Sequence, residues 1–220
     1  MSLLRKTYAE SLVRFNILHQ AEADLVFGKL YPIIPLHNSL ACALSSLRDR
    51  TNGLSKPIGR VIIHWVNSLK VPYVEYCSNL IQTKAFIDYR RDTDKDFNDF
   101  LRRCIESPFS RKLDLWSYLD VPRSRLVKYP LLLRQVLKFS NATPEYAADM
   151  NNLSSAIENL EAVIRDVDVA MAEARAQFTV SRLEWLDEAI EAKYSMAVFS
   201  AKEEIISGTL RNNRGTVNRQ

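Results

Sequence analysis

A chain of 220 residues with 47% apolar side chains is long enough to bury one sizeable core, and it suggests a single domain plus a remnant. Its five glycines, at positions 28, 53, 59, 208 and 215, are too few and too scattered for G-x-G-x-x-G or a P-loop, which excludes nucleotide-binding enzymes of either kind and points to helices. Net charge is +4, but between positions 111 and 138 seven basic residues stand against two acidic ones, a footprint for an acidic protein face, an anionic membrane or a nucleic acid.

The N-terminus turns polar after four residues, so it lacks the apolar run of a secretory signal. No stretch approaches the roughly 18 apolar residues of a membrane span. Three widely spaced cysteines, Cys42, Cys77 and Cys104, read as reduced, buried thiols. A cytoplasmic location follows, with membrane recruitment or a nuclear location as alternatives.

Residues 12–30 and 37–47 carry helical patterns separated by Pro32 and Pro35. Turn formers fill 51–57, and residues 58–104 give two or three helical segments broken near Pro72 and around Asp92. Helix is expected over 113–119, and Pro122 marks the entry to another over 124–138. In that helix Leu126, Tyr129, Leu133, Val136 and Leu137 form the apolar face, whereas Lys128, Leu131, Leu132 and Gln135 lie off it. Pro130 should kink it. Thr143 and Pro144 open a long amphipathic helix whose stripe is Met150, Leu153, Ile157, Leu160, Ile164, Val167 and Met171. Residues 205–210 read as a strand and 211–215 as a hairpin turn, the opening of a second domain.

Motifs for catalysis are missing. His19, His37 and His64 match no metal-ligand or nucleophile spacing. Asp92, Asp94 and Asp96 imitate the start of a calcium loop, but Phe97 stands where the turn needs Gly and Arg103 where a Glu should close the site. With no nucleophile motif, no metal site and no cofactor expected, function rests on binding rather than covalent chemistry.

Residues 109–133, Phe-Ser-Arg-Lys-Leu-Asp-Leu-Trp-Ser-Tyr-Leu-Asp-Val-Pro-Arg-Ser-Arg-Leu-Val-Lys-Tyr-Pro-Leu-Leu-Leu, closely resemble the third conserved region of Dbl homology domains, the exchange domains for Rho-family GTPases. Within that family they are most similar to the neuroepithelial transforming protein branch. Blocks at 34–37, 76–79 and 100–109 agree in order and spacing, and 208–215 resembles the first strand and turn of a pleckstrin homology domain. The resemblance implies an all-α, elongated helical bundle over 1–178 that lacks the start of its first helix. A linker over 179–204 and the beginning of a pleckstrin homology domain over 205–220 would follow.

The implied function is guanine-nucleotide exchange, in which the domain stabilises a nucleotide-free GTPase so that GDP leaves. The alternative on the same fold is a non-catalytic GTPase-binding or scaffold module. By this resemblance Lys128 contacts the second switch of the GTPase, with Leu131 packing beside it and Gln135 on the same face. Arg111, Lys112 and Leu113 meet the GTPase's β2 to β3 face. Asp168 stands where the family commonly has an Asn on the long helix; it accepts but cannot donate, so it needs a donor on the partner, an Arg. The family's first-switch Glu precedes the block at residues 5–8, and neither Glu10 nor Glu22 takes its place by position. Expected partners are a Rho-family GTPase in its nucleotide-free or GDP form and anionic phospholipid through the pleckstrin homology domain. Nucleic acid is not expected, because Trp116 and Tyr118 sit among apolar neighbours and read as core.

Overall fold

Prolines and carboxylate caps, rather than glycines, set the helix boundaries of this chain. The computed structural model describes residues 4–48, 56–140 and 146–215, with side chains as far as 182. A π-helical turn at Leu4–Ala9 leads into α1 (Glu10–Arg14); α2 (Gln20–Phe27) and a 3-10 turn at Gly28–Leu30 follow. The helix expected over 12–30 is therefore broken. Asn16 takes a left-handed φ of 55°, which Asn tolerates better than most residues, and it ends α1. Arg90 holds the turn that results, donating to the Ile17 carbonyl at 2.7 Å and pairing with Asp94 at 2.7 Å.

Helix α3 (Ile33–Leu47) starts earlier than expected. Pro32 precedes it and Pro35 falls in its first turn, where a backbone N–H has no intrahelical acceptor to lose. Next come α4 (Gly59–Asn67), α5 (Lys70–Thr93) and α6 (Lys95–Glu106), with Pro72 again in a first turn. Asp94 accepts from the N–H groups of Asp96 and Phe97 at 3.0 and 3.1 Å, so the acidic stretch serves as a helix cap. A 3-10 turn at Pro108–Ser110 precedes α7 (Leu115–Leu126), which Asp114 caps and which holds Pro122 buried in its interior instead of at the entry to the next helix. Where a kink was expected at Pro130, one helix ends and another begins: α8 (Tyr129–Phe139) takes Pro130 into its first turn.

The stripe expected on the long helix is present in α9 (Ala147–Gly215). Leu153, Ile157, Leu160 and Val167 are buried, with Ala156 and Val163 beside them, and Ile164 and Met171 pack half-buried. Its expected cap, Thr143 with Pro144, lies outside the described residues, as do 51–55 of the expected turn. The core gathers Tyr73, Tyr76 and Leu80 of α5 against Phe27, Leu30, Phe97, Leu119 and Leu126. The Tyr76 hydroxyl donates to the Leu119 carbonyl and so ties α5 to α7. Burial pushes the Cys77 thiol up to about 12, which leaves it inert as a nucleophile. Cys104 is buried as expected, whereas Cys42 is exposed.

The chain divides into two units, Met1–Arg175 and Ala176–Gln220. In the second unit the backbone is helical through Gly215, including 179–204, and residues 216–220 lie outside the described residues. The strand over 205–210 and the turn over 211–215 are thus replaced by helix. A strand needs a neighbour to take up its N–H and C=O groups, and no strand occurs among the described residues, whereas a helix satisfies these groups internally. No helix among the described residues is long and apolar enough to cross a membrane.

Candidate functional site

The junction of α7 and α8 is built by a missing donor. Pro130 has no N–H to give to the Leu126 carbonyl, so the α-helical ladder stops there. Val127 and Lys128 close α7 with bonds to the carbonyls of Arg123 and Arg125, at 3.4 and 3.1 Å. The ladder restarts when Leu132 N–H donates to the Lys128 carbonyl at 3.2 Å. Leu126 and Leu133 are buried on either side of the break and hold both helices to the core.

This places Lys128, Leu131 and Gln135 together on the outer face of α8, as the sequence pattern implied. Leu131 is 60% exposed. Leu132, also expected off the apolar face, is 43% exposed, and Phe139 at the end of α8 adds apolar surface that the pattern did not assign, at 78% exposed. Val136, expected on the apolar face, is also exposed. The signal for Phe139 is present in the spacing, since it follows Lys128 by eleven positions. Contiguous exposed apolar side chains beside a cation suit a protein partner.

Every other cation on α7 and α8 is engaged. Arg123 pairs with Asp120 at 2.7 Å, Arg134 pairs with Glu161 of α9, Arg125 lies 5.0 Å over the Tyr129 ring, and Lys138 lies 5.8 Å over Phe139. Lys128 has no such partner among the described residues.

Arg111, Lys112 and Leu113 form a separate, rigid turn. Arg111 and Lys112 both adopt left-handed backbone, φ 49° and 63°, an arrangement that is strained for residues with a Cβ. Ser110 holds it: its buried hydroxyl bonds the Ile105 carbonyl at 2.7 Å and accepts the Lys112 N–H at 3.0 Å. The Tyr118 hydroxyl donates to the Ser110 carbonyl at 2.8 Å. Asp114 follows as the α7 cap; burial would raise its carboxyl, but hydrogen bonds from Ser117 and the nearby Arg91 draw it below the usual carboxylate range. With the turn so held, its two basic side chains and Leu113 are exposed. Ser110→Ala should cost about 1–2 kcal/mol by leaving these backbone groups unpaired, and Lys112→Gly should stabilise by about 1 kcal/mol because Gly takes this φ freely. Thermal melts of the two variants check these opposite signs.

Asp168 is exposed on α9. Its field reaches Arg123 of α7 and Cys77 of α5, and no ion pair joins it to Lys128 among the described residues. The expected site residues therefore fall into three places: the α8 face, the turn at 111–113, and one position on α9. No cluster of metal-ligating side chains occurs among the described residues. Trp116 and Tyr118 pack half-buried against the core.

Behind the junction lies a cluster that spacing did not reveal. His37 of α3 is 2.7 Å from the Tyr73 hydroxyl through Nε2 and 3.2 Å from the Tyr129 hydroxyl through Nδ1. Burial, and then the charge of Arg125, push its imidazole below the ordinary value of 6.5. The unfolded chain thus binds more protons below that value, so the stability carried by neutral His37 is complete above pH 6.5 and is lost as pH falls below it. The melting temperature should fall between about pH 7.5 and about pH 5.5, and His37→Phe should flatten that slope.

The RhoGEF domain model matches residues 1–168. This chain belongs to the RhoGEF domain family. It is 37% identical over 217 residues to human "Rho guanine nucleotide exchange factor 3", covering 98% of this chain and 39% of the relative. It is 38% identical over 215 residues to human "Neuroepithelial cell-transforming gene 1 protein", covering 98% and 35%. The chain thus spans less than two fifths of the length of these relatives. In fold, the RhoGEF domain superposes on the DH/PH fragment of PDZ-RhoGEF crystallised with human RhoA, with a TM-score of 0.74 at 20% identity, over 82% of this chain and 51% of that one. The activated truncation of Vav1 gives a TM-score of 0.69 at 18% identity, over 83% and 44%. The helical bundle is therefore that of the RhoGEF domain.

Proposed function

We propose that this RhoGEF domain accelerates GDP release from a Rho-family small GTPase by binding the nucleotide-free protein more tightly than the GDP-bound one. Binding free energies are reciprocal: a partner that prefers the empty GTPase must weaken GDP binding by the same factor. Only that difference, not tight binding as such, raises the rate. The observation that carries the reading is Lys128, a cation without a partner on α7 or α8, set among exposed Leu131, Leu132 and Gln135.

In this reading Lys128 meets an acidic or carbonyl group of the second switch while Leu131 and Leu132 pack beside it. Arg111, Lys112 and Leu113 meet an acidic face on the GTPase and act on association rate and partner choice. Asp168 accepts from a cationic side chain of the partner. The relatives named as Rho exchange factors and the RhoA complex of PDZ-RhoGEF favour a RhoA-like partner. A cytoplasmic site of action accords with such a partner.

The test is release of fluorescent GDP from RhoA, Rac and other Rho-family GTPases with this chain at substoichiometric amounts. Acceleration that turns over supports exchange. Binding to nucleotide-free RhoA without acceleration would make the chain a non-catalytic module, and no binding to any Rho protein would overturn the reading.

A further inference from the structure

We propose that His37 is a positioning residue which, through Tyr129, fixes the turn that presents Lys128. The functional weight of this inference rests on the reading of Lys128 as a GTPase contact. The positioning itself is a property of the chain alone.

Four elements meet at His37. Nε2 reaches the hydroxyl of Tyr73 on α5 at 2.7 Å, Nδ1 reaches that of Tyr129 on α8 at 3.2 Å, and the edge of Trp65 on α4 packs against both rings, at 5.6 Å from His37 and 4.9 Å from Tyr129. Tyr73 is fully buried, so its hydroxyl depends on the imidazole. A neutral imidazole has one donor and one acceptor nitrogen, and two hydroxyls of opposite role match it on either side. The His37 and Tyr129 rings also stack, with centroids 6.0 Å apart and planes 20° from parallel. The Tyr129 ring is thus oriented from the core side by a stack, an edge contact and a hydrogen bond, while Arg125 lies 5.0 Å over the ring from α7.

Tyr129 directly follows Lys128 and lies where the helical ladder is interrupted by Pro130. The backbone ladder lacks a bond at this point, since Pro130 has no N–H to donate. The main-chain link to the next turn at Lys128 is the Leu132 N–H bond to its carbonyl. A side-chain anchor one residue away therefore decides how far that turn can open. His37 is that anchor's far end, drawn from a helix 92 positions earlier in the chain.

Amide hydrogen exchange at residues 132 and 133 of the free chain, where the ladder of α8 begins, reads the positioning without any GTPase. Tyr129→Phe removes one hydroxyl, keeps the ring and should leave the melting temperature within a degree or so, while exchange at 132 and 133 quickens by roughly three- to tenfold. His37→Phe should do the same at 132 and 133, and His37→Gln, which keeps one donor and one acceptor, should restore part of the protection. If GDP release is active in the wild type, Tyr129→Phe should slow it by a similar factor and add nothing in a Lys128→Ala background. Unchanged amide exchange in Tyr129→Phe, or quickening spread equally through α5 and α6, would overturn the proposal. A wild-type chain that releases no GDP would instead sink the exchange reading, and the amide measurement would still decide the positioning.

Discussion

Lys128→Ala is expected to lower the second-order rate of GDP release from RhoA by roughly 30- to 150-fold, the equivalent of about 2–3 kcal/mol, with the melting temperature unchanged. Two features of the structure set these opposite outcomes. The side chain is exposed and has no ion pair among the described residues, so the folded chain loses nothing when it is truncated. In a complex the same ammonium group would be enclosed by Leu131 and Leu132, and a charge pair sheltered from water is worth far more than one on a wet surface. Arg123→Ala is a less clean experiment, because Arg123 already holds Asp120 at 2.7 Å and its loss would disturb α7. Lys95→Ala, at the start of α6, removes the same charge from the chain and should leave the rate as it was. A Lys128→Ala chain that kept more than half of the wild-type rate would remove Lys128 from the interface, and the exposed α8 face with it.

That Lys128 and Leu131 face solvent is legible from the sequence because the apolar period runs through the α7–α8 junction: Leu126 at the end of α7 and Leu133 in α8 are buried, and Lys128 and Leu131 lie off their line, although Val136, on that line, is exposed. The same period fixed the docking face of α9 from Leu153 to Val167. Prolines are less legible. The break expected near Pro72 is present, but Pro35 lies in the first turn of α3 instead of before it, Pro122 lies inside α7, and Pro130 opens α8 instead of kinking a longer helix, because the period does not distinguish a kinked helix from one helix ending and another taking the proline into its first turn. Asn16 was missed for a related reason, since an apolar period on both sides concealed a single left-handed residue. At 205–210 a short apolar run with β-branched residues was read as a strand, and such a run does not separate strand from helix by pattern alone. The His37 cluster was beyond any local reading, because its partners lie 36 and 92 positions away and the period says only that each residue faces inward.

Gly59→Ala is the substitution expected to cost most stability, about 3 kcal/mol, or roughly 6–12 °C in melting temperature for a chain of this size. In an exposed helix the same change would stabilise by up to about 1 kcal/mol, because alanine gives up less backbone freedom. Here the surroundings reverse the sign. Helix α4 starts at Gly59 with no side-chain cap of its own. Its cap comes from the first turn of α9, where Asp149 accepts the Gly59 N–H at 2.5 Å and the Ile58 N–H at 3.3 Å. That close approach leaves no room: a Cβ on Gly59 would lie 2.5 Å from the Asp149 carbonyl oxygen, 2.8 Å from its carboxylate and 2.9 Å from the Asn152 Cβ. The nearest of these atoms is backbone, so relief requires moving the start of α9, and with it Leu153, away from the core. Asp149→Ala keeps the space and loses only the cap, a cost of about 1–2 kcal/mol, and Asp149→Asn should fall between that variant and the wild type. The order Gly59→Ala, Asp149→Ala, Asp149→Asn in thermal melts separates the steric cost from the capping cost. A Gly59→Ala chain as stable as the wild type would mean that the first turn of α9 withdraws freely, and Asp149→Ala should then cost nothing either.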